Sequence, residues 1–346
     1  MAEIIAIDLF CGAGGLTRGF LDSGIKVIAG IDWSETAKET YERNNNVPYI
    51  KKDIHDIKGH EIRNLLKEDD GKLFLLAGCA PCQPFSTRNS KKKVDDHRIG
   101  LLKQFGRLVE ESKPDLVFME NVPGIVSMEP GVFENFIAVL EKEGFKFDTK
   151  VVDAKNFSVP QTRKRRVLFA SRKTIKVPDP ANSNDEVKTV RDALFLLPPI
   201  AAGEESADIP NHKCFNLAEI NMRRIRQTPH DGGSRRDWIE PELTPVCHRN
   251  IKGFGNSYGR LKWDEPAPAV TTKFYTYSCG RHGHPEQDRA LSYREGALLQ
   301  SFSMDYVFYG SARYIGEQIG NAVPPKMAYW FGKHFVEHAE LHYPSV

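Results

Sequence analysis

Six short apolar runs punctuate the first 172 residues, at Ile4 to Leu9, Lys26 to Ile31, Tyr49 to Ile50, Lys72 to Ala77, Leu116 to Met119 and Arg166 to Ser171. Between several of them lie stretches with helical spacing, such as Leu101 to Glu111 and Val132 to Glu143. Runs of this length, rich in Ile, Val and Leu and alternating with amphipathic segments, predict a mostly parallel sheet covered by helices on both faces, an α/β fold. The pattern weakens after Lys173. VPDPANSNDE (177 to 186) reads as a linker, Lys188 to Ile200 as a short helix ending in Pro198-Pro199, and Gly203 to about Arg289 as turn-dense chain with one helix near Leu217 to Arg226. Helical spacing returns at Ser292 to Gln300 and at Pro325 to Ala339. The expected division is a catalytic and cofactor-binding domain from 1–180 plus 288–346, with a smaller, irregular, β-rich domain from 181–287.

Composition narrows the function. At 346 residues the chain is about twice a typical domain. No run approaches the roughly 20 apolar residues of a membrane span, so no membrane role is expected. MAEIIAIDLF carries an acidic residue and passes directly into a strand pattern, unlike a secretory signal. A reducing cytoplasm is therefore expected, with the six scattered cysteines as free thiols. The net charge of +2 is unevenly spread: ten basic residues against five acidic ones lie between Lys213 and Lys262, in a segment rich in Gly, Pro, His and Trp that suits a nucleic-acid surface.

The chemistry-bearing residues cluster at strand ends. DLFCGAGGL (8 to 16) places glycines in the first strand-to-helix turn, where the backbone can turn sharply and approach a ligand. It is not the dinucleotide fingerprint, because Thr17 stands where Gly or Ala is needed. Asp32 closes the second strand with Trp33 beside it, and Asp53-Ile54 closes the third; a carboxylate for ribose hydroxyls and an indole for adenine suggest a nucleoside-bearing cofactor, although strand-end aspartates also serve as generic caps. GCAPCQPFS (78 to 86) follows the fourth strand. It could be a redox or metal pair, a turn that contains cysteine, or a loop displaying one thiol. No second cysteine pair and no His-x-His spacing accompanies it, which disfavours metal. The fifth strand ends in Glu120-Asn121, so a thiol and a carboxyl share one rim, as a nucleophile and an acid would. In QTRKRR (161 to 166), period-two alternation points Arg163 and Arg165 to one side.

Taken in order, DLFCGAGGL, GCAPCQPFS, MENV (119 to 122), QTRKRR, RALSYREGALLQSF (289 to 302) and IGNAVPP (319 to 325) resemble the motif set of the cytosine-5 DNA methyltransferases of bacterial type. The likeness covers roughly the first 172 and last 60 residues, and the intervening segment falls where that family keeps its variable target-recognition region. It implies a Rossmann-like class I methyltransferase fold, S-adenosylmethionine as cofactor with S-adenosylhomocysteine as product, no metal, and double-stranded DNA as partner. Cys82 matches the nucleophile that adds to ring carbon 6 of a flipped-out cytosine, Glu120 the residue at ring nitrogen 3, Arg165 the arginine near the exocyclic oxygen, and Arg163 its supporting neighbour. Phe10, Ala13, Gly15, Leu16, Asp32, Trp33, Asp53, Ile54, Pro81, Leu101, Asn321 and Val323 match the cofactor cradle. Ser86, Arg88 and Arg98 fall in the matching catalytic loop, 84–98, and with Gln83 are candidate DNA contacts. Thr271 resembles the threonine element that contacts the target phosphate, and Arg235, Arg236, Arg249 and Arg260 are candidate DNA contacts. Cys79 matches no catalytic role.

The resemblance also implies a restriction-modification or orphan methylase acting as a monomer on nucleoid DNA in a bacterial or phage setting, with any cognate restriction endonuclease acting separately. One rival is an RNA cytosine-5 methyltransferase on the same scaffold; another is a non-catalytic nucleic-acid-binding homologue, against which the retention of Cys82, Glu120 and Arg165 together speaks. Phe302-Ser303 departs from the Phe-Pro common in the family's late motif, at a position expected to be structural.

Overall fold

The computed structural model describes residues 3–69, 71–81, 100–128, 131–180, 187–248 and 257–343. In chain order the elements are β1 (Ile4–Leu9), α1 (Gly15–Asp22), β2 (Lys26–Asp32), α2 (Lys38–Asn45), β3 (Tyr49–Lys51), α3 (Gly59–Leu65), β4 (Leu73–Gly78), α4 (Leu101–Ser112), β5 (Leu116–Asn121), α5 (Ile125–Met128), α6 (Val132–Lys142), β6 (Lys146–Asp153), β7 (Gln161–Thr162) and β8 (Lys164–Ser171). They continue with α7 (Val190–Leu194), α8 (Glu219–Gln227), β9 (Ala267–Pro268), α9 (Tyr293–Leu299), α10 (Ala312–Asn321) and α11 (Pro325–His342). The chain divides into two compact units: 1–153 with 164–181 and 325–346, and 154–163 with 182–324.

The first unit is built on a seven-stranded sheet in the order β3-β2-β1-β4-β5-β8-β6. The five strands from β3 to β5 are parallel, and β8 pairs antiparallel with both β5 and β6. Every residue of β1, IIAIDL, is buried, as expected of a central strand covered on both faces. On one face α4 lays down Leu102, Phe105, Leu108 and Val109, at helical spacing, beside Phe136 and Leu140 of α6 and Ile62 of α3. On the other, α1 and α11 supply Phe20, Phe331 and Phe335, which meet Phe118 of β5 at ring-centroid distances of 6.0, 5.5 and 6.3 Å.

The strand order matters for function. After β1 the chain steps outward through β2 and β3, then returns to place β4 on the other side of β1, so the direction of winding reverses between β1 and β4. The two strands stay paired to their last residues, Leu9 and Gly78, while the connections that follow them run to opposite sides, the switch point at which open α/β sheets bind ligands. The turn Phe10 to Gly14 leaves β1 and Cys79-Ala80-Pro81 leaves β4 at that point.

The second unit is irregular, as expected, but it is not β-rich. Among the described residues its strands are the two-residue β7 and β9, paired parallel, together with isolated bridges. Its extent also differs from the expected segment, since 154–163 and 288–324 group with it. It is held partly by buried charge: Arg289 and Glu295, each 1% exposed, pair at 2.6 Å, and Glu295 also accepts from the Ser292 backbone at the start of α9. Burial alone would raise the Glu295 carboxyl, but Arg289 holds it down at about 2. Among the elements that the sequence reading did not name are β6 and α10. The linker expected at 177 to 186 lies partly outside the described residues.

Candidate active site

The Gly-rich turn owes its shape to left-handed backbone. Phe10, Gly12 and Gly14 have φ of 59°, 49° and 84°. Phe10 donates its amide to Ile31 O at 2.8 Å, which ties the turn to the end of β2. At Gly12, whose position has open space where a side chain would stand, the amide donates to Asp32 Oδ2 at 3.0 Å, and Ser34 N donates to Asp32 Oδ1 at 2.9 Å. Burial raises the Asp32 carboxyl, against the opposing pull of these amides. Next to it the Trp33 indole is 58% exposed. An exposed indole beside a half-buried carboxylate and a backbone turn with room above it is a cradle for a nucleoside.

The other cofactor candidates divide. Asp53 is half-buried at the end of β3, where its Oδ1 accepts from His55 N at 2.9 Å. Ala13, Leu16, Ile54 and Leu101 are buried core side chains, Gly15 opens α1, and Pro81 is half-buried after β4. Asn321 and Val323 belong to the second unit, Asn321 exposed at the end of α10 and Val323 buried.

Beneath the turn lies a group that the sequence reading passed over. Asp8, 1% exposed, accepts from Thr17 Oγ1 at 2.7 Å, and the Thr17 hydroxyl is 3.0 Å from Tyr41 Oη. Burial pushes the Asp8 carboxyl up to about 7, and the nearby Asp32 adds to the rise. Its other oxygen, Oδ1, is buried and has no hydrogen-bond partner among the described residues. The signal was present in the sequence, as an aspartate inside an otherwise apolar strand.

At the carboxyl end of β5, Glu120 is 6% exposed and pairs with Arg165 Nε at 3.0 Å. The register that places Glu120 opposite Val167 brings β8 alongside β5 with Arg165 near its start. Asn121 donates to Ala80 O at 3.1 Å, so the strand end that carries Glu120 is tied to the chain two residues before position 82. Cys79 lies close by. Burial, followed by Glu120 and then Asp8, drives its thiol well above the ordinary range, as burial and Asp32 do for Cys11. Neither is activated as a nucleophile. Cys82 itself, with Gln83, Ser86, Arg88, Arg98 and the loop 84–98, lies outside the described residues.

Arg163 engages backbone carbonyls. It is 3% exposed and donates to the carbonyls of Val270, Gly320 and Ala322 at 3.2, 3.3 and 3.1 Å. Among the expected DNA contacts, Arg236 is exposed, Arg235 is half-buried and donates to His248 O at 3.3 Å, and Thr271 is half-buried; Arg249 lies outside the described residues. Arg260 is corrected. It is fully buried and donates to the carbonyls of Thr228, Ile225, His284 and Gln287 and to the Asp288 carboxylate, so its donors are directed into the protein and none is offered to DNA.

Comparison with known proteins identifies the family and the fold. Residues 4–337 match the family described as C-5 cytosine-specific DNA methylase. The Type II methylase M.HgiDII of Herpetosiphon aurantiacus is 42% identical over 326 residues, covering 92% of this chain and 91% of that protein. The Type II methyltransferase M1.HphI of Haemophilus parahaemolyticus is 33% identical over 331 residues, covering 93% and 84%. Among solved structures, a candidate DNA modification methyltransferase encoded within an Escherichia coli prophage shares the fold at a TM-score of 0.74 and 22% identity, covering 97% of this chain and 99% of its own. Spodoptera frugiperda DNMT2 shares it at 0.66 and 16%, covering 96% and 100%.

Proposed function

The chain belongs to the C-5 cytosine-specific DNA methylase family and is a DNA (cytosine-5-)-methyltransferase, and from that premise we propose that it methylates carbon 5 of a flipped-out cytosine within a short duplex sequence through a covalent Cys82 adduct. The observation that carries this reading is the Glu120–Arg165 pair at the carboxyl end of β5, tied by Asn121 to the chain that leads into Cys82.

S-adenosylmethionine fits the residues after β1 and β2: Trp33 offers a stacking face, Asp32 an acceptor and the Phe10 to Gly15 turn a backbone that a ligand can approach. When bound it supplies the methyl group. Asp53, Ile54, Pro81, Leu101, Asn321 and Val323 complete the proposed set of cofactor residues.

The remaining chemistry belongs to the chain. Carbon 5 of cytosine is a weak nucleophile, so the Cys82 thiolate adds to carbon 6 and the ring becomes enamine-like. Glu120 holds a proton at ring nitrogen 3 as charge develops there, and Arg165 meets the exocyclic oxygen while steadying Glu120. Once carbon 5 carries the methyl, its proton is lost to solvent, and the electron pair left behind expels Cys82 as thiolate, restoring the aromatic ring. A base stacked in a duplex is out of reach of a thiol, so the target must leave the stack at an unstacking cost of a few kcal/mol. Arg235, Arg236 and Thr271, with Gln83, Ser86, Arg88, Arg98 and Arg249, are the proposed DNA contacts. The proposed role is that of a restriction-modification or orphan methylase, a cytoplasmic monomer acting on bacterial or phage DNA; the Type II names of the relatives support its restriction-modification form.

The test is transfer of labelled methyl from S-adenosylmethionine to parallel duplex DNA and RNA pools, with Cys82→Ala as control and modified cytosines mapped by sequencing. Label confined to DNA and lost in the variant is expected. Label that survives in Cys82→Ala would remove the covalent mechanism, and label in RNA alone would change the substrate.

A further inference from the structure

Three buried side chains of the second unit form a polar network that no step above uses. Gln161 and Gln300 are 0% exposed and Arg163 is 3% exposed. Gln161 and Arg163 flank Thr162 in extended chain and grip the same residue: Val270 N donates to Gln161 Oε1 at 2.8 Å, and Arg163 donates to Val270 O at 3.2 Å. The Gln161 amide donates to Gln300 Oε1 at 2.9 Å, and the Gln300 amide in turn donates to Ile319 O at 2.6 Å. Arg163 reaches Gly320 O and Ala322 O. Both backbone groups of Val270 and the carbonyls of Ile319, Gly320 and Ala322 at the end of α10 are thus met by one cluster. A guanidinium suits a helix C-terminus, where unpaired carbonyls and the negative end of the dipole converge.

The packing is as close as the hydrogen bonding. Gly316 and Gly320, one turn apart on α10, face the turn after Val270. A Cβ at Gly320 would stand 2.4 Å from Thr272 N and 2.5 Å from the Thr271 carbonyl carbon, and one at Gly316 would stand 2.8 Å from Thr272 O. Backbone atoms cannot give way as a flexible side chain can, so the turn rests directly on the helix.

The geometry points to Arg163 as a positioning residue that, with Gln161 and Gln300, fixes the Thr271–Thr272 turn to the segment carrying Asn321, so that duplex DNA held at Thr271 tightens cofactor binding at Asn321. This rests on the reading that Thr271 meets a target phosphate and Asn321 the cofactor. Arg163 needs no contact with either ligand. Lysine keeps the charge but carries a single nitrogen, which cannot span three carbonyls in the directions a guanidinium serves. Linkage requires the effect to be reciprocal: whatever factor DNA adds to cofactor affinity, cofactor adds to DNA affinity.

The experiment titrates S-adenosylhomocysteine into the full chain with and without a duplex oligonucleotide bearing the mapped target, for wild type, Arg163→Met, Arg163→Lys and Gly320→Ala. Wild type should bind S-adenosylhomocysteine about tenfold more tightly with duplex present, a coupling of ordinary size. That ratio should fall close to one in Arg163→Met and Gly320→Ala, and stay intermediate in Arg163→Lys. A wild-type ratio of one, or an undiminished ratio in a folded Arg163→Met, overturns the assignment; should that variant not fold, an undiminished ratio in Gly320→Ala and Arg163→Lys does so. Thr271→Val and Asn321→Ala separate the two levels. If the first leaves duplex affinity unchanged, or the second leaves S-adenosylhomocysteine affinity unchanged, the site reading fails and takes the coupling with it.

Discussion

Replacing Asp8 by Asn should change the stability of the protein with opposite signs at pH 8 and pH 4. The Asp8 carboxyl is raised from 3.8 to about 7 in the folded chain, chiefly by burial at the end of β1. A carboxyl raised on folding favours the folded state in its protonated form. That contribution is fully present below the unfolded value and is lost as pH rises through about 7. Three pKa units correspond to about 4 kcal/mol at about 1.4 kcal/mol per unit, so at pH 8 the wild type bears a penalty of that order for burying the charge. Asn carries no charge, and its carbonyl can still accept from Thr17. Its amide would stand where Asp8 Oδ1 is now buried with no hydrogen-bond partner among the described residues, a cost of about 1–3 kcal/mol. The net expectation is a gain of about 1–3 kcal/mol at pH 8 and a loss of about 1–3 kcal/mol at pH 4, where little of the penalty is left and the stranded amide remains. Urea unfolding of both proteins at the two pH values, read from midpoints at unchanged m, measures the difference directly. The same shift of the same sign at both pH values would show that Asp8 does not bury its charge, and the account of β1 as a strand ending in a suppressed carboxylate would be withdrawn.

Two further outcomes follow from single side chains. Glu295→Ala leaves Arg289 as a buried cation without its carboxylate and should cost about 3–5 kcal/mol in urea unfolding at pH 7. Because the Glu295 carboxyl is held at about 2, the stability it adds is present above its ordinary value and declines as pH falls towards 2, so the gap between wild type and Glu295→Gln should narrow below pH 4.5. Trp33→Ala should leave the unfolding midpoint nearly unchanged, since the indole is 58% exposed, while weakening S-adenosylhomocysteine binding tenfold or more; an unaltered affinity in titration calorimetry would remove the indole from the cofactor site.

The parallel core of the sheet was legible because its strands are covered on both faces and so read as unbroken apolar runs, from Ile4–Leu9 to Leu116–Asn121. β6 was missed for the converse reason. It is an edge strand of sequence KFDTKVVD, mostly exposed or half-buried, and nothing in so mixed a run marks it as sheet. α10 was missed because its contact face is made of glycine: Gly316 and Gly320 bury no side chain, so the helix shows only Ile315 and Ile319 as an apolar stripe. The second unit is expected to be β-rich because its turn-dense sequence shows one helix only, yet several of its carbonyls are met by the buried side chains of Arg260 and Arg294.

Arginine is where sequence reasoning reached its limit in this chain. Arg163 and Arg165 are two residues apart, and alternation gave them one destination; the structure gives Arg165 to the Glu120 carboxylate and Arg163 to three carbonyls. Arg236 and Arg260 looked equally suited to DNA, yet one is exposed and the other is enclosed by carbonyls and Asp288. A guanidinium has five donors in a planar fork, enough to bind a phosphate or to close several open backbone carbonyls. Which it does depends on where unsatisfied acceptors collect, and these collect at helix ends and irregular turns that only the folded chain creates. Local basic charge therefore overstates a nucleic-acid surface wherever the backbone lacks regular partners. The arginines free to meet DNA are those that remain after the fold has satisfied its own carbonyls, which keeps Arg236 as a candidate and removes Arg260.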